Sequence, residues 1–361
     1  MKNRSSSREL ILVYSDTCRH IASPVREPFS YMLFLILPAL LYGCTALEET
    51  YLPEVPPESP PITAEIATMK IPSYTDIETL DIFTFNDDRQ ERLDSYQRFE
   101  NTDYESRIHD IASCSGNKTV ILLANSRTDR YEWADINCRK SLEARVFDLE
   151  SETHDNPVMS GCHIFDAGIP FSCELKPLSA EIILRSIKCD FSGESYAGDS
   201  LQDVRVYLTN VSASCRILPE ENNAPIRIIN SGMLNEDDVS RFSAPEIICQ
   251  RIKSAVGANR IFPGIRLLAY PNCLSAEHVG APYTRLVVEG RIRGKTYYCP
   301  IAVNRPGTDG FGIRRGQCYT YDLTIRKAGL TDPDGIIDDK YMEMNMEIMK
   351  WEEKDWYEIG F

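Results

Sequence analysis

The sequence predicts an all-β fold, mainly strand with one or two short helices, built as two tandem β-sandwiches. Three observations carry this expectation. Apolar and polar residues alternate with period two in segment after segment, the stretches between are rich in Gly, Pro, Asn and Asp, and helical spacing is confined to two places. So many short strands with so few helices between them fit antiparallel sandwiches and not a doubly wound parallel sheet.

The chain opens with a segment that belongs to neither sandwich. Its one long apolar run, Tyr31 to Leu41, has eleven residues, too few for a bilayer span, which takes roughly 20. The run ends in Leu41-Tyr42-Gly43-Cys44, a large aliphatic residue three before a cysteine and a small residue directly before it. That is the pattern a lipoprotein signal peptidase accepts, so residues 1–43 are expected to be a signal peptide cut between Gly43 and Cys44, with lipid on the Cys44 thiol. Residues 44–61 hold five prolines and four glutamates, which exclude a helix or central strand and predict an extended tether.

Residues 62–176 are assigned to the first sandwich and 177–361 to the second. Together they are long enough for two domains of roughly 100 to 200 residues each. Alternation marks strands at Ile62 to Met69, Leu80 to Phe85, Arg107 to Ala112, Thr119 to Leu123, Ile182 to Phe191, Val204 to Leu208, Arg285 to Ile292, Tyr297 to Val303, Tyr319 to Ile325 and Tyr341 to Trp351. From Asp129 the apolar residues Tyr131, Ala134, Cys138, Leu142, Val146 and Leu149 step by three and four, with Glu132 completing a capping box, which predicts an amphipathic helix. Ser243-Ala244-Pro245-Glu246 opens a second, shorter helix that Gly257 stops.

Composition excludes several functions. The full chain carries a net charge of -15, and loss of residues 1–43 takes it to -17; such a surface repels nucleic acid and anionic headgroups. Attachment to a membrane then falls to the lipid, whose chains contribute about 0.8 kcal/mol per buried methylene. Ten cysteines besides Cys44 follow the leader, with no C-x-x-C and no Cys/His pair at zinc spacing, so no metal or other cofactor is expected. Disulfides and buried free thiols both remain open. None of the five histidines lies in H-x-x-x-H or a nucleophile motif. Gly310-Phe311-Gly312 with Gly316 misses dinucleotide spacing, and Asp332-Pro333-Asp334-Gly335 reads as a turn because its glycine comes too early for a calcium loop. No motif argues for an enzyme.

Several segments, in order, resemble the Bacteroidales fimbrillin superfamily of type V pili, most closely its fimbrial anchor and minor-subunit branch. They are LDIFTFND (80–87), SYQRF (95–99), TVILLANS (119–126), the segment with Trp133 and Ile136, PVMSG (157–161), VRVYLTNV (204–211), AYPN (269–272), the run 284–304 and RRGQCYTYDLTIRKAGLTDPDG (314–335). The resemblance implies two transthyretin-like sandwiches, partners among the subunits of the same pilus, and assembly by donor-strand exchange. In that scheme a protease removes a stalk subunit's first strand after a basic residue and a neighbour's strand fills the groove.

Between Cys44 and Asp88 there is no arginine, and Lys70 is the only basic residue. This favours an outer-membrane anchor or accessory subunit that keeps its lipid and first strand, with Lys70 the one possible cleavage point. At the other end, Met342, Met344, Met346 and Ile348 share one face of the last strand and form a candidate donor strand, followed by Trp356, Tyr357, Ile359 and Phe361. The competing expectations are a stalk or tip adhesin subunit and a glycan-binding surface lipoprotein.

Overall fold

Each of the ten alternating segments lies on or overlaps a strand in the computed structural model, which describes residues 62–70, 72, 76–100, 110–113, 116–166, 168–218, 224–305, 311–338 and 340–351. The first half supplies β1 (Ile62–Lys70), β2 (Thr79–Asn86), β3 (Leu93–Glu100), β4 (Asp110–Ser113), β5 (Asn117–Ala124), β6 (Val146–Asp148), β7 (Met159–Asp166), β8 (Phe171–Glu174) and β9 (Lys176–Pro177). Five of these form one sheet in the order β3-β2-β5-β7-β9, and a second sheet runs β4-β1-β8.

The central strands of the larger sheet, β2 and β5, are buried on both sides. Leu80, Ile82, Val120 and Leu122 meet Ile66, Phe171 and Cys173 of the smaller sheet. Phe83, Phe85, Ile121 and Leu123 point the other way, into a core that also holds Trp133, Ile136, Leu142 and Leu149. Two-sided burial explains why LDIFTF and TVILLA read as nearly continuous apolar runs, and each such side chain stabilises the fold by about 1.5–3 kcal/mol. Gly161 lets β8 approach β7, since a Cβ there would run into the Glu174 carbonyl.

The second half contributes β10 (Ala180–Cys189), β11 (Gln202–Thr209), β12 (Val211–Ser212), β13 (Ser214–Arg216), β14 (Ile228–Ile229), β15 (Cys249–Arg251), β16 (Ile265–Ala269), β17 (Arg285–Ile292), β18 (Lys295–Ala302), β19 (Gln317–Ile325) and β20 (Met342–Lys350). Its two four-stranded sheets, β16-β10-β19-β20 and β15-β11-β17-β18, bury Ile182, Leu184, Tyr321 and Leu323 with Val206, Leu208, Leu286 and Val288 in one cluster. That cluster is continuous with the core under Trp133 in the first half. The sheets are not purely antiparallel: β1 runs parallel to β8, and β10 parallel to β19.

Both helix expectations need correction. Asp129 does accept from the Tyr131 amide, but the cap starts only a 3-10 turn, Arg130–Trp133. A short helix α1 (Arg139–Glu143) follows an extended Cys138, which bridges to Arg92, and Val146–Asp148 is strand because it pairs with β13. Long-range pairing overrides the three-and-four spacing. Likewise Pro245–Ile247 is a single 3-10 turn, and Cys249–Arg251 leaves it to pair with β11. The other helix, α2 (Glu236–Val239), is capped by the Asn235 side chain.

Polar contacts join the two halves. Arg315, between β18 and β19, donates to the carbonyls of Ser160, Lys176 and Pro177, and burial pushes its guanidinium down to about 10. Glu152 is fully buried between the Val158 amide and the Tyr270 hydroxyl, 3.1 Å away. Desolvation raises its carboxyl to about 7 against the pull of Arg127.

Candidate assembly surface

The residues singled out at the two ends of the chain occupy the first and last described strands. β1 changes partners halfway along. Ile62 to Glu65 pair antiparallel with β4, while Ile66 to Lys70 pair parallel with β8 across an irregularity between Ile66 and Thr68. The Ile66 side chain is buried in the smaller of the two clusters and Met69 packs against its margin. Lys70 ends the strand with its side chain exposed, and its carbonyl accepts from the Leu175 amide. Without β1, the smaller sheet would lose the strand that joins β4 to β8, and the cluster of Leu80, Ile82 and Phe171 that Ile66 closes would be uncovered.

β20 is the edge strand of its sheet, held by nine consecutive antiparallel pairs with β19. Register places Met342, Met344, Met346 and Ile348 opposite Ile325, Leu323, Tyr321 and Tyr319, so the methionine face is the core-facing one. Its cover is uneven. Met342 is buried, Met346 and Ile348 are partly buried against the large cluster, and Met344 is 41% exposed. The opposite face is acidic and paired with cations. Glu347 accepts from Arg185 at 2.8 Å, Arg185 also clasps Asp322, and Glu343 accepts from Arg326 at 2.6 Å. Hydrogen bonding from Arg185 holds the Asp322 carboxyl below its ordinary value. Trp351, buried, closes the strand by donating its amide to the Gly316 carbonyl.

β1, which Lys70 ends, and the methionine face therefore belong to different sheets, and β1 packs on the smaller cluster while the methionine face packs on the larger. Gly43, Cys44 and the aromatic tail from Trp356 to Phe361 lie outside the described residues, as do His109 and Cys114. The nine described cysteines are free thiols. Burial drives Cys173, Cys189, Cys215 and Cys299 up to about 12, which suits inert core residues. His163 stacks on Phe171 with centroids 5.1 Å apart, and Asp332–Gly335 forms the expected turn, its Gly335 amide donating to Asp332. Among the described residues no His, Cys, Asp and Glu group could hold a metal, and no helix is long and apolar enough to cross a membrane. Arg185 with Asp322, and Arg315 at the junction, carried no signal in the sequence beyond being charged residues next to apolar strands.

No protein family and no curated protein matches the sequence at a significant level. Solved structures do. A candidate cell adhesion protein from Parabacteroides distasonis superposes with a TM-score of 0.61 at 17% identity, over 80% of this chain and 97% of its own. A fimbrillin from Porphyromonas gingivalis gives 0.57 at 13%, over 80% and 97%. A C-terminally truncated tip fimbrial protein from the same species gives 0.50 at 12%, over 81% and 100%. The chain thus has the fimbrillin-like fold, as its resemblance implied.

Proposed function

We propose that this chain is a non-enzymatic, lipid-anchored structural subunit of a bacterial fimbrium, serving at the outer membrane as its anchor or as an accessory subunit. The observation that carries the reading is the likeness to a fimbrillin over nearly that protein's whole length. On this reading the chain consists of two sandwiches meeting near residue 176, stands off the membrane on the tether 44–61, and joins its neighbours by donor-strand exchange. Lipid on Cys44 fixes one end. The absence of arginine between Cys44 and Asp88 leaves β1 in place, and Met342, Met344, Met346 and Ile348 are the side chains offered to a neighbour's groove. Unbranched thioether side chains suit that task because they adapt to an imperfect pocket.

A stalk subunit is the second reading, favoured by the exposure of Lys70 at the very end of β1. Mass spectrometry of the mature N-terminus separates the two. The anchor reading expects a lipidated Cys44, and deletion of residues 338–361 is expected to release fibres while leaving that lipid in place. Fibres in which this chain repeats along the length with a new N-terminus after Lys70 would overturn it.

A further inference from the structure

Lys118 is the second residue of β5 and precedes a wholly buried apolar run, yet its own side chain is only 2% exposed. Its Nζ lies 2.5 Å from Oδ1 of Asn86 and 3.2 Å from Oδ2 of Asp94, a side chain itself 8% exposed. Two features of the sheet make this meeting. Asn86 is the direct cross-strand partner of Lys118 in the β2–β5 register, so both side chains rise from the same face. Asp94 is placed by a β-bulge: Thr84 pairs with Ser95 and Phe85 with Leu93, leaving Asp94 as the extra residue, and a bulge re-aims its side chain. Ser113 of β4 then donates to Oδ2 of Asp94 at 2.9 Å. The backbone is tied around the group by Asn86 N–H to Arg92 and Asp87 N–H to Asn117.

A buried Lys–Asp pair alone is a salt bridge. Here the amine also touches a carboxamide, so nucleophile, electrophilic carbon and proton-transfer group meet at one site in which the Lys118 and Asp94 side chains are almost wholly buried. We infer that Lys118 and Asn86 condense to an intramolecular isopeptide bond, with Asp94 as the acid–base catalyst. Asp94 takes a proton from the Lys118 ammonium, which removes both poorly solvated charges. The freed Nζ lone pair adds to Cγ of Asn86. Asp94 gives its proton to Nδ2 and takes one from the positively charged Nζ. The Cγ–Nδ2 bond then breaks as the carbonyl re-forms and ammonia departs, and this ammonia accepts the proton from Asp94 to leave as ammonium. One C–N bond forms, one breaks, and no oxidant or external cofactor is needed. The product staples the end of β2 to the start of β5 in the sheet that β1 covers.

The test is the intact mass of the purified full-length chain, with tandem mass spectrometry of its digest. The expected result is a mass lower by one ammonia and a branched peptide joining the Lys118 and Asn86 segments. Lys118→Arg and Asn86→Ala should restore the unmodified mass. Asp94→Ala should do the same while keeping both reacting residues, which separates catalysis from mere proximity. An unmodified mass with only linear peptides in the native chain overturns the inference, however the variants fold. So does a branch to Asp94 with loss of water.

Discussion

β1 and β20 have the same length, nine residues, and hold the fold in opposite ways. β1 has two neighbours in succession, β4 along its first part and β8 along the rest, and covers a satellite cluster confined to the first half. β20 has one neighbour, unbroken pairing, and a seat on the core shared by both halves. Loss of β1 uncovers the satellite cluster and frees two short edges in succession, β4 for the first part of an incoming strand and β8 for the rest, so its position is specified twice along its length. Loss of β20 leaves a one-sided edge, which specifies direction but not position so tightly. The strand that is easier to replace in register is thus the one with more neighbours.

The most damaging way to break the comparison is a charge under β1. Ile66→Asp should cost about 3 kcal/mol or more in urea unfolding, because an unpaired carboxylate enters the closed cluster. Met344→Asp on β20 should cost only about 1–2 kcal/mol, since that side chain already reaches solvent; equal losses from the two would abolish the difference between the strands. Arg315→Met removes the donor for the Ser160, Lys176 and Pro177 carbonyls and should cost about 2–4 kcal/mol. Calorimetry should then resolve a separate transition for the half that contains β1.

Glu152 sharpens the same boundary through pH. Its carboxyl is raised from 4.5 to about 7 in the folded chain, so the stability it contributes is fully present below pH 4.5. That contribution, about 3 kcal/mol, is lost as pH rises through 7. Melting curves between pH 4.5 and 8 should show the decline, and Glu152→Gln should flatten it. The smallest effect expected is Met344→Ala, below about 1 kcal/mol in the same assay.

Strand positions were largely legible because alternation is local: Arg285–Ile292 is strand over the very span its pattern marks. What could not be read depends on partners far along the chain. Tyr131, Cys138 and Val146 mimic a helical face, yet Tyr131 and Val146 are exposed and Cys138 is extended, since Arg92 and β13 claim the backbone there. The parallel pairs β1–β8 and β10–β19 were invisible for the same reason. Lys118 left only a faint trace, a charged residue where the apolar run begins. Its link to Asp94 depends on a bulge, and nothing in composition announces which residue a bulge turns. The methionine face was legible as a face, but its uneven burial follows from standing at a sheet edge.

The uninterrupted β19–β20 ladder also has a mechanical meaning. A load drawn along the strand axis shears all nine pairs at once, whereas a load across it opens them one after another from the end at Lys350. Resistance to rupture along this strand is therefore a matter of pulling direction, greatest when tension runs parallel to β20.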